Sequence, residues 1–158
     1  MFLSVSLAEA QQAIFLVRHA EQSVETDDPE LTEAGKKRAQ ALASVLKDVG
    51  INVIYTTDRR RAIQTAEPLE KSLNIESKRL PLRDVDGLVA RLREQGDHDR
   101  ILVVNHSLAL PRIMKGLGYP AEITIPLNEY DNLFVLVPKS DGSPSLLRLR
   151  YYAAPTVR

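Results

Sequence analysis

Ala13-Ile14-Phe15-Leu16-Val17-Arg18-His19 is the stretch on which the fold of this chain turns. Five apolar residues in unbroken succession read as a strand buried on both faces, because a half-exposed strand would alternate. The run stops at a guanidinium and an imidazole. The same pattern returns at Ile101-Leu102-Val103-Val104, which leads directly into Asn105-His106-Ser107. Between the two, Ile51-Asn52-Val53-Ile54-Tyr55-Thr56 is a third run, rich in β-branched residues, and it is followed by Arg59-Arg60-Arg61.

Amphipathic segments separate these strands. Thr32 is a good N-cap for a helix from Glu33 to about Asp48, with Ala39, Leu42, Ala43, Val45, Leu46 and Val49 at helical spacing, and Gly50 stops it. Asp58 is placed to cap a second helix, Arg59 to about Leu73, in which Pro68 predicts a kink or a break. A weak extended stretch at Ser77–Leu80 precedes a helix near Asp86–Gln95. Ser107 is placed to cap a last helix through about Leu117, ended by Gly118 and Pro120. Leu133–Val137 and Leu146–Tyr152 then read as strands flanking the turn residues Ser140-Asp141-Gly142, the second with the alternation of a half-exposed edge strand.

Strand–helix alternation implies an α/β fold in three α/β/α layers around a mainly parallel central sheet. Its 158 residues fit one domain, taken as 13–158. Residues 1–12 are set apart. They are apolar at Phe2–Leu7 and carry Ala8-Glu9-Ala10, which resembles a small-residue cleavage site without the basic region before it. They read either as a loose start or as the remnant of a signal peptide, which leaves a cytoplasmic or an exported, periplasmic location open.

Composition excludes several classes. Lys plus Arg equal Asp plus Glu at 21 each, so the surplus of base expected of a nucleic-acid binder is missing. With no cysteine there is no thiol catalysis, thiolate metal site or iron–sulfur cluster. No apolar run approaches the roughly 18 residues that span a bilayer. Neither a Gly-x-Gly-x-x-Gly nor a Gly-Lys-Ser/Thr loop is present, nor a His-Glu-x-x-His pair, so no nucleotide cofactor or resident metal is expected.

Of the three histidines, His98 sits in a polar turn, whereas His19 and His106 each follow a buried strand. In parallel sheets ligands bind at the carboxyl ends of strands. Two histidines there, with Arg18 beside one and an arginine cluster after a third strand, point to a phosphoryl site. Arginine forks match phosphate oxygens, and a neutral imidazole among them is a competent nucleophile toward phosphorus.

Four blocks carry a resemblance. Leu16-Val17-Arg18-His19-Ala20-Glu21 resembles the Arg-His-Gly motif of the histidine phosphatase superfamily, which has the phosphoglycerate mutase-like fold. Leu31-Thr32-Glu33-Ala34-Gly35 looks like its Leu-Thr-x-x-Gly segment. Arg61-Ala62-Ile63-Gln64-Thr65-Ala66 is similar to its Arg-Ala-x-Gln-Thr-Ala, and Val103-Val104-Asn105-His106 to its late strand and histidine. By position the resemblance implies that His19 is the phosphorylated nucleophile and that Arg18, Arg61 and His106 complete the phosphate pocket. The layout is closest to the short bacterial phosphohistidine phosphatases. It implies a metal-independent hydrolase of a phosphomonoester or a phosphohistidine, its partner a small phosphorylated substrate or a phosphoprotein. Arg59 and Arg60 inherit no role and read as surface or rim residues.

Two departures stand out. Ala20 replaces the motif glycine, which is tolerable if the backbone there avoids positive φ. The usual glutamate that protonates the leaving group is missing, and Leu80–Gly87 stands in its place. Glu21, Asp84 and Asp86 are the candidate acids, each with a plainer role open to it: Glu21 orienting the pocket, Asp86 capping a helix. A non-catalytic phosphate-binding module on the same fold is the alternative, and a mutase would want longer insertions to hold a sugar phosphate. Tyr119, Tyr130 and Asp131 read as packing rather than rim.

Overall fold

The computed structural model describes residues 12–24, 26–140 and 142–152. Its elements in chain order are β1 (Ala13–Arg18), α1 (Glu33–Leu46), β2 (Val53–Thr57), α2 (Arg60–Leu73), β3 (Lys78–Leu80), α3 (Val85–Arg93), β4 (Arg100–Asn105), α4 (Ala109–Gly116), β5 (Asn132–Val137) and β6 (Ser145–Arg150). The strands form one six-stranded sheet in the order β3-β2-β4-β1-β5-β6. β3, β2, β4 and β1 run parallel, and β5 and β6 add an antiparallel pair at the side of β1.

Alternate residues of the buried strands feed two apolar layers. Phe15, Val17, Ile54, Leu102 and Val104 pack under α1 and α2 with Leu42, Leu46 and Leu69. Ile14, Leu16, Tyr55, Ile101 and Val103 pack on the other face under α3 and α4 with Leu88, Leu92, Leu110 and Ile113. Apolar runs covered on both faces are thus a consequence of the three-layer arrangement. Each fully buried leucine is worth about 2–5 kcal/mol against truncation to alanine.

Several local expectations are corrected. Asp58 does not cap α2: its carboxylate accepts from Leu82 N, and Asp28 accepts from Arg60 N at the helix start instead. Ser107 is not the cap of α4, which begins after Leu108 without a side-chain cap. Asp84 rather than Asp86 caps α3, accepting from Gly87 N at 3.0 Å. α2 runs unbroken through Pro68, because Ala62, Ala66 and Leu69 on either side of it are buried in the apolar layer shared with α1 and the sheet. β6 stops at Arg150, and its leucines Leu147 and Leu149 face solvent, since among the described residues no helix lies over them. Asp141 and residues 1–11 lie outside the described residues.

Candidate active site

The register of the sheet assembles the site. β1 and β4 are parallel neighbours with Arg18 opposite Asn105, so the next residues, His19 and His106, leave adjacent strands side by side. His19 N donates to Asn105 O at 2.9 Å, and the two imidazole centroids lie 4.9 Å apart. β2 flanks β4 on its other side with Thr56 opposite Val104, which brings Thr57 Oγ1 within 3.1 Å of His106 Nε2. α2 then starts from the end of β2 and presents Arg61, whose Nη2 lies 3.5 Å from His106 Nδ1. Residues distant in sequence become neighbours because three parallel strands end at one edge.

The motif residues hold this edge together. Thr65, one helical turn after Arg61, donates to Arg61 O at 2.6 Å and accepts from Ala20 N at 2.9 Å, so it ties the turn after β1 to α2. Gln64 Oε1 accepts from Leu31 N at 2.8 Å. Thr32 caps α1 and donates back to Glu21 O. A Cβ on Gly35 would stand 2.2 Å from Glu21 O, so only glycine lets α1 approach this loop. Ala20 is fully buried against Leu31 and Ala39 and does not take positive φ, so the glycine of the motif is not needed there.

The imidazole of His19 is oriented. A carbonyl oxygen only accepts, so the 2.8 Å contact between His19 Nδ1 and Ala20 O is an Nδ1–H bond, and Nε2 carries the lone pair. Burial, with the Arg18 and Arg61 charges and the second imidazole adding to it, holds His19 down at about 3. Burial and then the Arg61, Arg18 and Arg59 charges hold His106 at about 4. For both rings desolvation is a larger cause than the neighbouring cations.

Arg18 is 8% exposed and its Nη1 donates to the carbonyls of Leu127 at 2.6 Å and Glu129 at 3.1 Å. Its guanidinium lies 3.9 Å from the centroid of Tyr130, whose ring also meets that of His19 in a T-shaped pair with centroids 6.1 Å apart. Tyr130 was expected to be packing; it sits at the site, brought there by the loop that Arg18 anchors. Arg61 Nη1 lies 3.6 Å from Asp28 Oδ1. Asp28, Thr57, Thr65 and Tyr130 are the site residues that the sequence analysis did not assign. Thr65 was inside a quoted block, whereas Asp28 and Tyr130 lie in loops with no strand or helix pattern to place them.

The candidate acids are occupied. Glu21 is turned toward Arg38 of α1, and although burial raises its carboxyl, the Arg38 hydrogen bonds outweigh that and hold it below the usual carboxylate range. Asp84 serves its helix cap, and Asp86 lies exposed in the first turn of α3. Among the described residues no group of three or more His, Asp or Glu side chains is arranged to hold a metal ion, and no helix is long and apolar enough to cross a membrane. A groove of about 230 Å³ between α1 and α2, lined by Leu31, Ala39, Gln64 and Pro68, contains neither histidine.

A family model described as the histidine phosphatase superfamily, branch 1, matches residues 14–86. The fold is that of the histidine phosphatase superfamily. No curated protein matches the chain. Among solved structures, the protein histidine phosphatase SixA complexed with tungstate superposes with a TM-score of 0.71 at 21% identity, over 87% of this chain and 96% of that one. A phosphoserine phosphatase from Entamoeba histolytica gives 0.65 at 15% identity, over 91% and 98%. A phosphoglycerate mutase from Plasmodium falciparum gives 0.65 at 21% identity, over 92% and 95%. His106 lies beyond the matched family segment and owes its place in the site to the β1–β4 register.

Proposed function

We propose that this chain is a phosphatase that transfers a phosphoryl group from a phosphomonoester or a phosphohistidine to His19 and then to water. The observation that carries the reading is the state of His19: a neutral ring, Nδ1–H fixed on Ala20 O and Nε2 unprotonated, beside Arg18 and the second imidazole. In the first step Nε2 attacks phosphorus, the P–N bond forms, and the bond to the leaving group breaks with its electron pair. In the second, water attacks the phosphorus, the P–N pair returns to the ring, and phosphate departs with the proton balance met by solvent. Arg18, Arg61 and His106 stabilise the charge that spreads over the equatorial oxygens.

Glu21 enters this reading as the group that orients the β1–α1 turn through Arg38, and Thr57 as the group that orients His106. The superfamily match and the phosphatases among the structural neighbours support the reading.

The test is a quenched turnover with ³²P-labelled phenyl phosphate or phosphohistidine. Wild type should retain acid-labile, base-stable label and His19→Ala none. Label that persists in the variant overturns the assignment. Phosphate binding without turnover of any substrate would favour the non-catalytic module.

A further inference from the structure

We propose that Arg59 forms a second anion subsite beside the phosphoryl pocket, so that the preferred substrate carries another negative group close to its phosphoryl group. The inference rests on the phosphatase reading for the word substrate; the subsite itself is a statement about binding.

Arg59 stands at the start of α2 with extended backbone, φ −85° and ψ 136°, and its side chain caps nothing. It is the residue before Arg60 and Arg61, but the three guanidinium groups have different surroundings. Arg60 is neutralised at the surface by Glu30. Arg61 reaches His106 and Asp28. Arg59 has only Asp58, 3.7 Å from its Nε, and that carboxylate already accepts from Leu82 N. Contact at 3.7 Å is beyond a charge-assisted hydrogen bond.

Unpaired donors gather at this place. Seven buried side-chain polar atoms lack a hydrogen-bond partner among the described residues, and three of them are the Nε atoms of Arg18, Arg59 and Arg61. A buried donor without an acceptor is costly, and an anion bound among these guanidinium groups would supply acceptors. Arg18 and Arg61 are accounted for by one phosphoryl group, with His106 as its further neighbour. Arg59 is left over, close enough for its charge to lower both His106 and Arg61. Its side chain is 38% exposed, so it sits at the mouth and not in the floor. A group at that position meets the part of a substrate adjoining the phosphoryl group, and a guanidinium with free donors there selects a carboxylate or a second phosphoryl group.

The experiment is a calorimetric titration at pH 8 with methylphosphonate, phosphonoacetate and methylenebisphosphonate. The wild-type chain should bind at least one of the two doubly functional probes about tenfold or more tighter than methylphosphonate, the scale of one charge-assisted hydrogen bond. Which probe gains identifies a carboxylate or a second phosphoryl group as the partner. Arg59→Ala should bring the ratio to near one, Arg59→Lys should keep part of it, and Arg60→Ala should leave it unchanged, with melting temperatures confirming that each variant is folded. Equal affinities in wild type, or a gain that survives Arg59→Ala, overturn the subsite. Hydrolysis of phenyl phosphate is measured in parallel. A chain that shows the gain but hydrolyses nothing keeps the subsite and loses the phosphatase reading; hydrolysis with equal affinities does the reverse.

Discussion

Arg38 holds Glu21 in a forked grip: its Nε donates to Oε2 at 2.9 Å and its Nη2 to Oε1 at 2.7 Å. The same guanidinium, 5% exposed at the side chain, donates from Nη1 to the carbonyl of Tyr152 at 2.8 Å. One residue of α1 therefore fastens the turn after β1 to the end of β6. Removing one partner leaves the other charge poorly solvated, so Arg38→Met should cost about 3 kcal/mol in urea unfolding. Glu21→Gln and the double variant should lose less than the sum of the single effects. Were Glu21 instead the acid for the leaving group, Glu21→Gln would reduce kcat on an alkyl phosphate by about 10²–10⁴ while leaving that on an aryl phosphate nearly intact.

Stability should depend on pH through the two site histidines. In the folded chain they are held at about 3 and about 4, against about 6.5 when unfolded. Between those values the unfolded chain binds protons that the folded one does not, so stability rises with pH from about 3 to about 6.5 and levels off above. Glu21, held below its ordinary value, acts in the same direction: its contribution is present above the unfolded carboxylate value and is lost as pH falls through the folded one. The urea midpoint should be lower at pH 5 than at pH 7.5, and the difference should shrink in His19→Gln. An unchanged midpoint would show that the histidines titrate normally.

The arginines should separate by function. With phenyl phosphate, Arg61→Ala should lower kcat/KM by about 10²–10³, the usual effect of removing a preorganised partner of transition-state charge. Arg59→Ala should lower it by much less, because Arg59 adjoins the pocket from the mouth while Arg61 reaches His106. Similar small losses at both positions would place the whole cluster outside the chemistry.

No carboxyl group of the described site is free to give a proton: Glu21 is paired, Asp84 caps α3, and Asp28 is shared by Arg61 and Arg60 N. Leaving groups that depart readily should therefore be favoured. A series of substituted phenyl phosphates and one alkyl phosphate should give kcat/KM that falls steeply as leaving-group pKa rises. A flat series, turned steep by neutralising Asp84 or Asp86, would reveal the acid.

Dialysis against EDTA should leave turnover unchanged, since Arg18 and Arg61 supply the positive charge that a metal would otherwise bring. Activity lost on chelation and restored by one divalent ion would contradict this.

Much of the architecture was legible because burial on both faces leaves an unbroken apolar run, as in β1 and β4, and a buried face leaves helical spacing, as in α1. Capping was less legible. Asp58 and Ser107 stand where caps usually stand, but Asp58 is claimed by Leu82 N across a loop, and an aspartate 32 residues before Arg60 serves the helix in its place. Local propensity gives way wherever tertiary contacts offer the backbone another acceptor.

By itself the sequence determined the layers, the strands that end in Arg18-His19 and His106, and the block that presents Arg61, because apolar period and residue chemistry are properties of short segments. Only the tertiary structure decided what those side chains do to one another. The parallel register of β1, β4 and β2 put His19, His106 and Thr57 in a row, and burial is the largest cause holding both imidazoles well below their ordinary value. Glu21 is held on Arg38 of α1, and the loop bonded to Arg18 carries Tyr130 to the site. Proximity, desolvation and competition for hydrogen bonds arise only between segments distant in the chain, so no reading of one segment contains them.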